Sequence, residues 1–182
     1  KYHKGFAPLV EGFSYVPFND FEALKNEVDD KTCAIMLETI QGEGGINIVD
    51  KGFLQAVRKI CDEKGLLLIL DEVQCGMGRT GKYFAYQHYG IEPDIMTMAK
   101  TLGGGMPIGA MIAGEEFASI LKPGTHASTF GGSPIVCSAS LAVLFASSIA
   151  VSEESIPQTS CPSFAARIEI QPFPQPISST LA

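Results

Sequence analysis

Two residues in this chain have the type and setting to hold a small ligand from opposite ends, Asp71 and Lys100. Asp71 ends the run Leu66-Leu67-Leu68-Ile69-Leu70. An aspartate after a strand is most often a surface turn residue. This strand, however, is apolar on both faces, which places it centrally in a sheet and opens its end onto the edge where ligands bind. A carboxylate buried there is costly unless a cation meets it, and a protonated pyridine nitrogen would be such a cation. Lys100 stands in Met98-Ala99-Lys100-Thr101-Leu102-Gly103-Gly104-Gly105. Alone it would read as an exposed lysine leading into a loop, but three consecutive glycines beside it argue for a close approach of backbone to something. An amine that forms a Schiff base must attack in its neutral form, which a desolvated pocket beside another positive charge favours.

Three further stretches carry possible chemistry. Gly42-Glu43-Gly44-Gly45 is a glycine-rich loop just past Glu38. Ser128-Thr129-Phe130-Gly131-Gly132 sets two hydroxyls beside glycines, where they can donate to phosphate oxygens; the plain alternative is a polar turn before a helix. His126, just upstream, reads as a turn residue. Gly76-Met77-Gly78-Arg79-Thr80-Gly81-Lys82-Tyr83 matches both G-x-G-x-x-G and the opening of a phosphate-binding P-loop. A dinucleotide site needs its first glycine directly off the strand, whereas Asp71 through Cys75 intervene, and Asp94 comes too early to meet a ribose. A P-loop needs Ser or Thr after the lysine to hold magnesium, and Tyr83 occupies that place. A nucleotide-binding module built on this loop stays as the alternative from another class.

The elements that must position these groups follow from apolar periodicity. Asn19 with Glu22 forms a capping-box pattern that opens a short helix through Leu24. Cys33–Leu37 and Leu66–Leu70 are apolar runs of buried-strand character. Between them, Asp50 caps a helix with Phe53, Leu54, Val57, Ile60 and Cys61 on one face, closed by Gly65. A short aromatic helix over 83–89, strands over 95–98 and 107–113, and helices over 115–121 and 134–145 complete the pattern. Strands alternating with helices predict an α/β fold, a mostly parallel sheet with helices on both faces. Glu38, Asp71 and Lys100 each fall at or just past a strand's carboxyl end, the side on which such sheets bind ligands. From about residue 147, serines and prolines replace any period, so 1–146 reads as the folded part and 147–182 as a Ser/Pro-rich tail of disordered composition.

Composition narrows the classes. The chain has 182 residues, 46% of them hydrophobic and 18% charged, as expected of a buried-core globular protein. A net charge of −7 without a basic stripe argues against a nucleic-acid surface. No apolar run approaches the ~18 residues of a membrane helix, and no signal or transit segment is visible. Five scattered cysteines without a CxxC pair exclude a metal framework and fit a reducing compartment, cytoplasm or organelle matrix.

Taken in order and spacing, Glu38–Gly45, Asp71–Gly81, Asp94–Gly105 and Gly124–Gly132 resemble the class III pyridoxal-phosphate-dependent aminotransferases, over about residues 1–146. The resemblance implies part of the large domain of a fold-type I pyridoxal-phosphate enzyme. It implies that Asp71 pairs with the pyridine nitrogen, Val73 packs on the ring, Gln74 lies near its phenolic oxygen, and Lys100 carries the cofactor covalently and moves the proton. It assigns Ser128 and Thr129 to the phosphate or substrate of a neighbouring subunit, which makes the functional unit a homodimer. Glu43 would neutralise a substrate-binding arginine from elsewhere, and Glu38 would support the site from behind. The implied reaction is transamination from N-acetylornithine to 2-oxoglutarate, with ornithine or 4-aminobutyrate as alternative donors. A truncated, non-catalytic remnant or a partner that sequesters complete subunits is the reading without catalysis. Thr39 stands where the family usually has proline. The family's glycine–threonine phosphate loop, its stacking aromatic and its carboxylate-binding arginine are expected outside this segment.

Overall fold

The computed structural model describes residues 3–122, 124–125, 128–129 and 131–153. Helix α1, Phe21–Glu27, begins at Asp20, whose side chain accepts the Ala23 N–H at 2.9 Å. The cap therefore falls one residue later than the pattern Asn19/Glu22 predicts. Asn19 is committed elsewhere: it adopts φ 63°, donates to the Ile48 carbonyl at 3.2 Å and accepts the Asp50 N–H at 3.0 Å. A short polar side chain tolerates that left-handed conformation. Its tertiary contacts outweigh the local capping signal.

Strand β1 is Ala34–Glu38, and the two-residue strands β2, Ile40–Gln41, and β3, Asn47–Ile48, form a separate antiparallel ribbon. Helix α2, Lys51–Lys64, starts at Asp50, whose side chain makes no capping bond, and ends at Gly65 with φ 67° and ψ 35°. Only a residue free of Cβ reaches that geometry without cost, and the Leu66 N–H then closes on the Cys61 carbonyl at 2.9 Å. Strand β4 is Leu67–Asp71; a 3-10 turn covers Ala85–His88; strand β5 is Ile95–Met98; a second 3-10 turn covers Lys100–Gly103. Strand β6 is Ala110–Ala113, α3 is Glu115–Ala118 and α4 is Pro134–Glu153.

The main sheet has the order β1-β4-β5-β6. β1, β4 and β5 are parallel, whereas β6 runs antiparallel to β5. A parallel return needs a crossover of a dozen or more residues, usually a helix, and only the Lys100–Gly103 turn lies between β5 and β6. The long apolar run 66–70 does become an interior strand, with neighbours on both sides.

The core lies on one side of this sheet. Leu54, Val57 and Cys61 of α2 and Leu68 and Leu70 of β4 are fully buried together. Burying each aliphatic side chain there is worth about 1.5–3 kcal/mol. The other face is more open than the expectation of helices on both sides: Met36 is 58% and Met111 48% exposed. Helix α4 packs on the Lys100–Gly103 turn rather than on a strand. It also continues past Phe145, where the sequence reading ends it. Serine hydroxyls along it are taken up by carbonyls of the preceding turn: Ser138, Ser140 and Ser148 donate to those of Pro134, Val136 and Phe145. Residues 154–182 of the expected tail lie outside the described residues.

Candidate active site

The register of the parallel strands decides which side chains meet. Glu38 stands opposite Asp71, and Asp71 opposite Thr97, so three polar residues form a row across the carboxyl ends of β1, β4 and β5. Residues in register project from the same face of a sheet. Asp71 is half-buried, and its Oδ1 accepts the Val73 N–H at 2.9 Å, a local bond that turns the chain out of the strand. Oδ2 has no donor among the described residues. Thr97 Oγ1 is buried without a hydrogen-bond partner among them.

Glu38 reports the charges around it. Burial pushes its carboxyl above the ordinary range; the Gly42 N–H draws it down, Asp71 raises it, Lys100 lowers it, and Glu43 raises it again. Three of the predicted residues, Asp71, Lys100 and Glu43, thus act on one carboxylate. Lys100 opens its 3-10 turn with φ 45°, is exposed, and makes no salt bridge or hydrogen bond through Nζ among the described residues. It lines an open depression of about 630 Å3 with Arg79, Thr101, Gly104, Gly105 and Met106–Ile108. Asp71 stands outside that lining.

Val73 and Gln74 are half-buried in the turn that leaves Asp71. Gln74 lies against Gly42, where an added Cβ would come within 2.8 Å of Oε1. That contact docks the Gly42–Gly45 loop, bearing the exposed Glu43, onto the Asp71 turn. Ser128 and Thr129 are exposed, on a turn closed by the Gly131 N–H to the Ser128 carbonyl at 3.3 Å. No hydrogen bond among the described residues joins them to Asp71 or Lys100. His126 lies outside the described residues.

Two of the three glycines after Lys100 closely approach other parts of the protein. A Cβ on Gly103 would lie 2.9 Å from Ile108 Cγ2, and one on Gly104 would lie 3.0 Å from Val143 Cγ2. The loop from Gly76 to Lys82 is likewise turned inward. Its Gly76, Gly78 and Gly81 N–H groups donate to the carbonyls of Glu72, Tyr83 and Gly78, so none of these three is available to a phosphate. Met77 is buried, and Asp94, the acid weighed for a ribose, accepts Leu68 N–H at 2.6 Å and Arg58 at 2.9 Å. This geometry removes the support for a nucleotide cradle.

The residue that sequence reading missed is Glu72. It is 1% exposed, and its carboxylate accepts the N–H groups of Ala85 and Tyr86 at 2.9 Å and the Cys75 thiol at 3.3 Å. Burial pushes its carboxyl up despite those donors, and pushes the Cys75 thiol to about 12. Its only sequence signal was a second acid after an apolar strand, which gives no hint of burial.

The sequence profile of the family Aminotransferase class-III matches residues 1–155. The acetylornithine aminotransferase of Methanocaldococcus jannaschii is 60% identical over 156 residues, covering 86% of this chain and 38% of that protein. The acetylornithine aminotransferase of Caldanaerobacter subterraneus subsp. tengcongensis is 66% identical over 144 residues, covering 79% and 36%. Among solved structures, the ornithine aminotransferase of Toxoplasma gondii superposes with a TM-score of 0.74 at 36% identity, covering 84% of this chain and 36% of that one. The acetylornithine aminotransferase of Elizabethkingia anophelis gives 0.72 at 38% identity, covering 82% and 37%. The chain spans less than two fifths of the length of these curated relatives. With a matching profile over most of its residues and a sheet that superposes on these enzymes, the chain belongs to the class III aminotransferases.

Proposed function

We propose that this chain forms the cofactor-anchoring segment of a pyridoxal-5′-phosphate-dependent aminotransferase that moves an amino group from N-acetylornithine to 2-oxoglutarate in arginine biosynthesis. The observation that supports the reading is geometric: register sets Asp71 in a row with Glu38 and Thr97 at the carboxyl ends of the strands, and Lys100 lies just past the end of the neighbouring strand β5. The donor assignment follows the relatives. Two curated relatives named for acetylornithine are 60% and 66% identical to this chain.

The residues present fit the cofactor. Asp71 keeps Oδ2 without a donor among the described residues, in a half-buried setting that favours a cationic partner. Lys100 offers an unpaired amine above an open depression. When bound, pyridoxal phosphate supplies an aldehyde to the amine and an aromatic ring that takes up the electron pair left when the substrate C–H bond breaks. Asp71 would hold the proton on the ring nitrogen, Val73 would support the ring face, and Gln74 would approach its phenolic oxygen. Lys100 Nζ would hold the cofactor through its aldehyde and would move the proton at the substrate carbon as general base. Ser128 and Thr129 would donate to the phosphate or substrate bound by a second copy in a homodimer, and Glu43 would face a substrate-binding arginine.

Incubating the 182-residue chain with pyridoxal phosphate, reducing with borohydride and mapping the peptides tests this. The expected adduct sits on Lys100 and disappears in Lys100→Ala. Equal labelling of surface lysines, unchanged in that variant, would sink the reading. For the donor, loaded protein should respond spectrally to N-acetylornithine before ornithine or 4-aminobutyrate.

A further inference from the structure

We propose that Arg79 is a positioning residue for Lys100, acting through the hydroxyl of Thr101; the proposal rests on the anchoring role given to Lys100 above. Lys100 adopts φ 45°, a left-handed conformation that a lysine holds only when its surroundings over-determine it. Backbone bonds shape the turn after it: Leu102 N–H to the Ala99 carbonyl at 2.9 Å and Gly104 N–H to the Thr101 carbonyl at 3.0 Å. The side-chain hydrogen bond that reaches this turn from another segment, among the described residues, is Arg79 Nε to Thr101 Oγ1 at 3.0 Å. Thr101 is the residue next to the strained lysine, and both line the same depression as Arg79.

A latch positions something only if its own end is fixed, and the loop bearing Arg79 is held at several points. Its root carries Glu72, whose buried carboxylate takes the Ala85 and Tyr86 N–H groups and the Cys75 thiol. Its middle is closed by Gly78 N–H to Tyr83 and Gly81 N–H to Gly78. The residue after Arg79, Thr80, meets His88 Nε2 through its carbonyl at 3.0 Å and its hydroxyl at 3.1 Å. Gly76 approaches the Glu72 carbonyl so closely that a Cβ would come within 2.8 Å, which leaves the loop one path out of the strand. The glycine loop, its Gly76, Gly78 and Gly81 amides taken up internally, instead presents the solvent-exposed Arg79 guanidinium to the turn that carries the amine. Placement matters because a reacting group displaced by about 1 Å can lose about a hundredfold in rate.

The test reads the rate at which the whole chain forms the borohydride-reducible adduct with pyridoxal phosphate, alongside the denaturation midpoint of each variant. Arg79→Ala and Thr101→Val should each slow the reaction by about tenfold, the scale of one lost hydrogen bond to a charged group. The double variant should be no slower than either, and Thr101→Ser should restore the wild-type rate. Thr101→Val at the wild-type rate with Arg79→Ala slow would mean that Arg79 acts by charge alone, and overturns the latch. Multiplying effects in the double variant, or wild-type rates throughout, overturn it as well. If Arg79→Ala does not fold, the near-isosteric Val and Ser variants of Thr101 decide by themselves. An adduct that survives Lys100→Ala would instead refute the anchoring role, a separate result from any of these.

Discussion

Asp71 and Glu72 are adjacent carboxylates at one strand tip, and they meet opposite conditions. Glu72 is closed in and accepts three donors from its own chain. Asp71 looks onto the open face, in a row with Glu38 and Thr97, and holds a single donor, Val73 N–H. The alternation of side chains along a strand separates them. An acid that builds the fold is saturated internally, since an uncompensated buried charge would be too costly. An acid left with an oxygen to spare at the open strand ends is the one we assign to a ligand. The same division runs through the glycine loops, where close approaches that resemble ligand cradles in sequence are spent on packing.

Substitutions on the two sides should separate accordingly. The largest effect is expected on the open side: Asp71→Asn should lower transamination by the assembled, cofactor-loaded enzyme by about a hundredfold or more while leaving the denaturation midpoint of the chain unchanged. A matching loss of stability would mean that Asp71 is structural like its neighbour. Next, Leu70→Ala on the closed face should cost about 2–5 kcal/mol in denaturant titration, whereas Met36→Ala on the open face should stay within about 0.5 kcal/mol. Equal costs would erase the contrast between the faces.

The smallest effect concerns Glu72 itself. Glu72→Gln keeps the shape but cannot accept from both backbone N–H groups and the thiol, and should cost about 1–3 kcal/mol at neutral pH. Because burial holds the Glu72 carboxyl above its ordinary 4.5, the folded chain binds that proton more tightly than the unfolded chain does. Its contribution to stability is therefore present at low pH and is lost as pH rises through the raised value. The gap between wild type and Glu72→Gln should change across that window; a gap independent of pH would show that the carboxyl is not perturbed.

Much of this was legible beforehand. The run 66–70 announced an interior strand because only a strand covered on both edges and buried in the core is apolar throughout. The period of Leu54, Val57, Ile60 and Cys61 announced the face of α2, and Gly65 its end. Other readings failed where a distant contact overrode a local signal. Asn19 left its cap to hold the start of α2, and α4 outran the serines expected to end it. Glu72 was invisible because burial is a property of the packed chain and not of a residue and its neighbours.

What sequence alone determined was the strands at 33–37, 66–70 and 95–98 with the helix between the first two, the family, and the positions of Asp71 and Lys100 at strand ends, since apolar period and motif spacing are local quantities. What tertiary structure decided was the company those residues keep. Register set Glu38 and Thr97 beside Asp71, and an arginine from the misleading glycine loop was brought against the turn of Lys100. Such meetings depend on strand register and loop closure between segments far apart in the chain, which no short window of residues encodes.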